Sequence, residues 1–253
     1  MRLAWLVRLT HICGVSAQSV HRWNGGSRRI EPFCPKAAAG MTTAPPVPSS
    51  AISSGNRDLG KFGSFGRAVT PQQAKEIEAL GYGAVWVGGS PPAELNWVEP
   101  ILAATTTLQV ATGIVNIWSA AAGPVAESFH RIDAAYPGRF LLGIDVGHPE
   151  AVNHYRKPYD ALAEYLDRLD GYGVPANRRV VAALGPRVLQ LSAQRSAGAH
   201  PYLTTPEPTA RARELIGPSA FLAPEHKVAL TADADAARAV GRKALSMYLN
   251  LAN

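Results

Sequence analysis

Cysteine is nearly missing from this chain of 253 residues: Cys13 and Cys34 are the only two, and both fall within the first forty positions. The body therefore carries no disulfide scaffold, and with no C-x-x-C pair or Cys/His cluster it offers no zinc-ligand pattern. Long apolar runs are missing as well. No window reaches the ~18 continuous apolar residues of a membrane-spanning helix. The opening MRLAWLVRLTHICGVSAQS falls short of a signal peptide because Arg8 and His11 interrupt its apolar run. Excess positive charge is missing from most of the chain. The formal charge is +6, yet residues 1–40 hold six basic side chains against the single acid Glu31, which leaves only about +1 for everything after them. An excess confined to one end makes no basic face for nucleic acid, and HRWNGGSRR is too short an aromatic-basic stretch to supply one. These absences describe a protein expected to be cytoplasmic and to work on small molecules, with neither nucleic acid nor membrane as partner.

What is present is apolar content of 47%, enough for one large domain or two small ones. Residues 41–57, MTTAPPVPSSAISSGNR, are rich in Pro, Ser, Thr and Gly and bury too little to fold. Residues 1–57 are accordingly expected to be a disordered or mis-translated N-terminal extension, with Met41 as the natural start, and residues 58–253 the folded body.

From Leu59 onward, short β-type runs alternate with amphipathic segments, the rhythm of βα units around a parallel sheet. KFGSFG is the first strand, and Thr70-Pro71-Gln72-Gln73 supplies an N-cap, a proline at the first helical position and a capping-box glutamine. Further strands are expected in GAVWVGG, LQVATGIVNIW, GRFLLGIDVG, RRVVAAL, AGAHPYL and within SAFLAPEHKVAL. Helices are expected between them, one starting late at Pro100, one opening at Gly123-Pro124, and others over 157–171, from Pro186 to Ala197, after Thr205-Pro206 and after Thr231. Units in such a row favour a (β/α)8 barrel over a doubly wound open sheet.

A barrel places its chemistry at the C-terminal ends of its strands. Gly185-Pro186-Arg187 opens a helix there, so free backbone N–H groups, the helix dipole and a guanidinium together form a candidate phosphate seat; plain helix capping explains the same residues. Gly113, inside a β-branched strand, marks a bulge or the close approach of a ligand, and Asn116 and Trp118 follow at that strand's mouth. His148 lies just past the fourth strand with a side chain able to titrate near neutrality. His200 and Tyr202 alternate along the sixth strand and point to one side, plausible for the barrel interior. Trp86, Trp118 and Tyr202 suggest an apolar or aromatic ligand, although packing explains such residues equally well. LGYGAVW lacks the third glycine of G-x-G-x-x-G and precedes a strand, so a nicotinamide-binding reading fails.

Five blocks, LGYGAVWVGGS, LQVATGIVNIW, AYPGRFLLGIDVGHP, ALGPRVLQLSAQRSAGAHPYLTTPE and FLAPEHKVAL, in this order and spacing resemble the luciferase-like monooxygenase family, most closely its coenzyme F420-dependent oxidoreductases of the actinobacterial type. The resemblance runs from about Leu59 to the end and leaves out the first fifty-odd residues. It implies an α/β fold, a TIM barrel of the bacterial-luciferase type, lacking here the eighth strand and final helix found in full-length relatives. It implies hydride transfer between coenzyme F420, with FMN as the alternative, and a small unsaturated or carbonyl-bearing substrate. A non-proline cis peptide is implied at Gly113-Ile114, buttressing the tricyclic ring, and phosphate binding at Gly185, Pro186 and Arg187. Gly147 and His148 would line the ring or substrate pocket. Where relatives carry an acid or an Asp-His pair after the second strand, this sequence has Gly88-Gly89-Ser90, so the proton donor must lie elsewhere and His148 is the leading candidate. Two alternatives stand beside this reading: a catalytically inactive truncated remnant and an FMN-dependent monooxygenase. Relatives commonly form homodimers, but no stretch of this sequence defines an interface.

Overall fold

The computed structural model describes residues 7–9, 59–147, 157–246 and 248–249. Two units divide the chain, Met1–Cys13 with Ser54–Asn253 in one and Gly14–Ser53 in the other; the second lies outside the described residues. Apart from residues 7–9, so does the extension expected over 1–57.

Among the described residues seven parallel strands alternate with helices along the body. They are β2 (Gly63–Gly66), β3 (Ala84–Val87), β4 (Gln109–Thr112) with its short continuation β5 (Val115–Asn116), β6 (Phe140–Asp145), β7 (Arg179–Val181), β8 (Gly198–Ala199) and β9 (Phe221–Leu222). Neighbours in the sheet follow sequence order from β2 to β9, and every pairing on that path is parallel. Sequential parallel order is the topology of a barrel and not of a doubly wound sheet, whose strand order reverses partway. Among the described residues no pairing joins β9 back to β2, so the structure shows an incomplete barrel. The backbone of β1 (Val7–Leu9) pairs antiparallel with β10 (Glu225–Lys227), which follows β9.

The helices are α1 (Pro71–Ala79), α2 (Val98–Ala104), α3 (Ala122–Ala135), α4 (Pro158–Gly171), α5 (Pro186–Arg195), α6 (Pro206–Ile216) and α7 (Ala234–Leu245). Their starts follow local chemistry. Thr70 and Gln73 close both halves of the capping box that opens α1, satisfying two N–H groups that the first turn would leave open. Asp233 accepts the N–H groups of Asp235 and Ala236 at the start of α7. The helix expected to bend or start late at Pro100 starts at Val98, which puts that proline in the first turn, where it has no hydrogen bond to lose.

Strand alternation divides the core in two. Val85, Val87, Val110, Phe140, Leu142, Ile144 and Val181 face outward onto the helices. Ala84, Trp86, Ala111, Leu141 and Val180 pack together with Leu59 and Ala223 inside the barrel. Two of the strands contribute alanine to this layer, where the large Trp86 side chain is buried. The third expected strand is broken rather than continuous. Between the pairs Ala111↔Leu141 and Val115↔Ile144 its chain advances four residues while β6 advances three, so one extra residue is held in a bulge. Thr112 replaces the missing ladder bonds: its hydroxyl donates to Gly143 O at 2.8 Å and accepts Gly143 N–H at 2.7 Å.

Candidate functional site

On β6, Leu141, Gly143 and Asp145 take alternate positions and therefore share the interior face. Leu141 belongs to the packed layer, and Asp145, at the C-terminal end of the strand, lies above it. A cavity of about 750 Å³ opens at this level, bounded by Phe65 in β2 and Arg67 just after it, Gly113 and Ile114 at the bulge, and Asp145 at the end of β6 with Gly147 beyond it. His200 and Tyr202 from the loop after β8 and Glu225 and Lys227 of β10 form part of the remaining wall. Its position at the strand C-termini is where barrel enzymes bind their ligands, and its volume lies within the usual range for small-molecule sites.

Two glycines let the bulge approach the cavity floor. A Cβ on Gly88 would collide with the Phe65 ring and lie 2.9 Å from Gly113 O, a backbone atom with little room to move. Gly113 is similarly confined: its Cβ would meet Phe65 Cε2 at 3.0 Å and His200 Nε2 at 3.4 Å. The Gly113-Ile114 peptide is cis, as the family resemblance implied.

His200 is held firmly. Its ring stacks on Trp86 with centroids 4.1 Å apart, and Trp86 in turn stacks on Phe221 at 6.4 Å. Nδ1 lies 2.7 Å from Ala223 O. A carbonyl only accepts, so Nδ1 carries the hydrogen; burial holds the ring's pKa below its ordinary value, against the opposing pull of that hydrogen bond and of Glu225. The neutral ring is thus left with an accepting lone pair on Nε2, the atom beside Gly113.

Asp145 is perturbed in the opposite sense. Burial pushes its carboxyl up to about 7, although the Val146 and Gly147 N–H groups donate to it and pull the other way. Among the described residues it makes no ion pair. Tyr202 nearby is raised to about 12, mostly by burial and also by Tyr248, Glu225 and Asp145. Glu225, 3% exposed, is instead neutralised by Lys227, whose Nζ lies 2.6 Å away.

The cavity brings together five of the residues picked from sequence: Gly113, Ile114, Gly147, His200 and Tyr202. The others lie apart from it. Asn116 is a framework residue, its Oδ1 accepting Trp118 N–H at 2.9 Å and its amide backing onto Gly147. Gly147 has φ 62°, and a Cβ there would press on Asn116 Nδ2 at 2.6 Å. Trp86 does not line the cavity but stacks on His200, which does, and Trp118 does not reach the cavity wall. Gly185 caps α5 with open space around it, and the Arg187 guanidinium sits 4.3 Å over the Tyr159 ring, outside the cavity. His148 lies outside the described residues. Sequence reasoning passed over Asp145, Glu225 and Lys227. A single carboxylate closing the apolar run FLLGID was the available signal for the first; nothing in EHK distinguished the others from an ordinary strand.

The sequence profile of a family described as luciferase-like monooxygenase matches residues 33–173. No curated protein matches. Among solved structures, apo-MsnO8 is 21% identical with TM-score 0.49, covering 61% of this chain and 59% of its own. Monooxygenase RslO1 from Streptomyces bottropensis is 15% identical with TM-score 0.48, covering 58% and 57%. The coenzyme F420 dependent tetrahydromethanopterin reductase from Methanopyrus kandleri is 14% identical with TM-score 0.46, covering 62% and 59%. This chain therefore spans under two thirds of the length of each, and likenesses this distant carry no argument about activity. Among the described residues no helix is long and apolar enough to cross a membrane, and no His, Cys, Asp or Glu cluster could hold a metal.

Proposed function

The chain belongs to the luciferase-like monooxygenase family, and from that premise we propose that it is an oxidoreductase transferring a hydride between coenzyme F420 and a small organic substrate, with FMN as the alternative cofactor. The observation that carries this reading is the cavity of about 750 Å³ at the strand C-termini, floored by the glycine-lined bulge. It has room for a planar tricyclic ring together with a small substrate, and the absence of side chains at Gly88 and Gly113 lets the Phe65 ring pack against the bulge that floors it.

Gly113, Ile114 and Gly147 would hold the ring, with Asn116 supporting Gly147 from behind. His200 would offer Nε2 to a ring or substrate N–H. The phosphate is assigned to Gly185, Pro186 and Arg187: the α5 N-terminus has no side-chain cap, and an exposed guanidinium stands beside it. Tyr202 and Phe65 would set an apolar or aromatic preference for the substrate, with Trp86 and Trp118 shaping it at most indirectly. When bound, the reduced deazaflavin supplies a hydride from C5. The protein's part is to orient both ligands, exclude water and supply the accompanying proton, for which His148 is the candidate from sequence.

Titration of the full-length protein with F420 and with FMN, followed by ligand fluorescence, tests the reading. Saturable binding of one of the two at equimolar stoichiometry is expected. A folded protein that binds neither overturns it.

A further inference from the structure

Resting on the oxidoreductase reading, we propose that Asp145 is the catalytic acid of this cavity, donating the proton that completes reduction of the substrate. Four observations support the assignment. Asp145 ends β6 on the interior face and lines the cavity beside Gly147. Its carboxyl receives the Val146 and Gly147 N–H groups, which fix it at the strand terminus. Among the described residues, the charged and titratable groups facing the cavity from the other elements are Arg67, His200, Tyr202, Glu225, Lys227 and Tyr248. Of the two cations, Lys227 is engaged by Glu225, and among the described residues neither Lys227 nor Arg67 forms an ion pair with Asp145.

Burial without a counter-ion favours the neutral acid, and the carboxyl's pKa of about 7 leaves it half-protonated at neutral pH. That matches a general acid to its working pH. His200, which reaches the same cavity from the loop after β8, is held neutral with an accepting Nε2, so burial shifts it in the sense opposite to Asp145 and separates an acid from a positioning role. Position 145 also compensates for Gly88-Gly89-Ser90, which offers no acid after β3.

The step balances as follows. When bound, the reduced deazaflavin would supply hydride from C5 to the electrophilic carbon of an enone or carbonyl and release its N1 proton to water. The substrate's C=C or C=O π bond breaks, a C–H bond forms, and the electron pair left on the neighbouring carbon or oxygen takes the Asp145 proton. Asp145 is left as carboxylate and regains a proton from water.

Infrared difference spectra of the ligand-free full chain between pH 5.5 and 8.5 read the acid directly. A carboxylic C=O band that disappears with a midpoint between pH 6 and 8 is expected, and it is expected to be absent in Asp145→Asn. Single-turnover oxidation of reduced F420 by cyclohex-2-enone then tests its use. In the wild type the rate should fall as pH rises through about 7; Asp145→Asn should be about 10²-fold slower at pH 6, bind F420 within twofold of wild type and lack the pH limb. Asp145→Glu should restore part of the rate with a displaced limb. The wild-type infrared titration requires no variant, so a variant that misfolds leaves it decisive.

The proposal is overturned if no carboxyl titrates in that range, if Asp145→Asn keeps the wild-type rate and pH profile, or if His148→Gln removes the limb while Asp145→Asn retains it. Failure of the folded wild type to bind F420 or FMN overturns the cofactor reading instead, whatever the infrared band shows.

Discussion

The two ends of the same strands treat charge in opposite ways. Just ahead of β6, the Arg139 guanidinium donates to the carbonyl oxygens of Leu102 at 3.1 Å, Thr105 at 3.0 Å and Leu108 at 2.8 Å. Glu78 gathers the N–H groups of Thr106, Thr107 and Leu108 at 2.9, 2.6 and 2.8 Å, tying the end of α1 to the loop before β4. At the head of β7, the fully buried Arg179 pairs with Asp170 and donates to Arg195 O at 3.1 Å and Val174 O at 3.3 Å. At the other end, Asp145 has two backbone donors and no counter-ion among the described residues, and His200 keeps one nitrogen facing the cavity. The N-terminal end holds its charges by saturating them. At the C-terminal end Glu225 and Lys227 pair with each other, but Asp145 and the His200 Nε2 stay open to a ligand, which is how a barrel separates stability from chemistry.

The largest test of that division is Arg179→Ala. It removes a fully buried side chain and leaves carbonyl oxygens without their donor, and a loss of ~3 kcal/mol is expected, somewhat eased because Asp170 can reach water. Urea denaturation measures it. Affinity of the remaining folded protein for F420 should stay within about twofold of wild type, since its effects belong to the other end. A matching loss of affinity would break the comparison.

Asp145→Asn is expected to act in the opposite direction. The folded pKa of about 7 lies above the ordinary value of 3.8, so the folded chain keeps a proton that the unfolded chain has released between those limits. Stability from this group is full below about pH 4 and is lost as pH rises toward 7. Asparagine has no such loss. The variant should match wild type near pH 4 and exceed it by ~1–3 kcal/mol at pH 8, read from thermal unfolding across pH. His200 works against this trend. Its pKa is lowered, so its contribution is present above 6.5 and lost as pH falls below it. Equal stability of variant and wild type at pH 8 would show that Asp145 is not strained by its charge.

Glu78→Gln sharpens the other end by a smaller amount. Burial alone would raise the Glu78 carboxyl, but the Thr107, Leu108 and Thr106 N–H groups and the Thr107 hydroxyl outweigh it and leave the pKa below the ordinary 4.5. A depressed carboxylate stabilises above its unfolded pKa and loses that contribution as pH falls through the folded one. The variant should cost ~1 kcal/mol at pH 7 and flatten the acid limb of the stability curve. Acid limbs that coincide in variant and wild type would remove Glu78 from the stabilising set.

Much of this arrangement is legible in the sequence because it is made locally. Thr70-Pro71-Gln72-Gln73 forms its capping box within four residues, and the alternation of His200 and Tyr202 is enough to put both on one wall. The bulge was expected from Gly113, but its consequence, a strand split into β4 and β5 with Thr112 bridging the gap, needs β6 for its register. AGAHPYL yields only Gly198–Ala199 as strand; the His200 N–H still donates to Val181 O at 2.9 Å, and Pro201, which has no N–H, follows it. Asp145 reads from sequence as part of an apolar strand because the cavity that it lines is completed by residues more than fifty positions away, Tyr202 and Glu225 among them. Desolvation is a property of the assembled interior, and no local pattern records it.

Arg187 tests whether the C-terminal end reaches beyond the cavity. Its guanidinium rests on Tyr159, an exposed stacking contact worth ~0.5 kcal/mol, so Arg187→Ala should scarcely change stability. What distinguishes a phosphate seat from plain capping is selectivity. If the α5 N-terminus and Arg187 hold the cofactor phosphate, the variant should weaken F420 binding several-fold and leave the dephosphorylated deazaflavin core almost unaffected, because only the former loses a charge-assisted contact. Paired fluorescence titrations with the two ligands measure the ratio. An equal loss for both would confine ligand recognition to the cavity walls and return Gly185-Pro186-Arg187 to helix initiation, the role its open, uncapped geometry already fills.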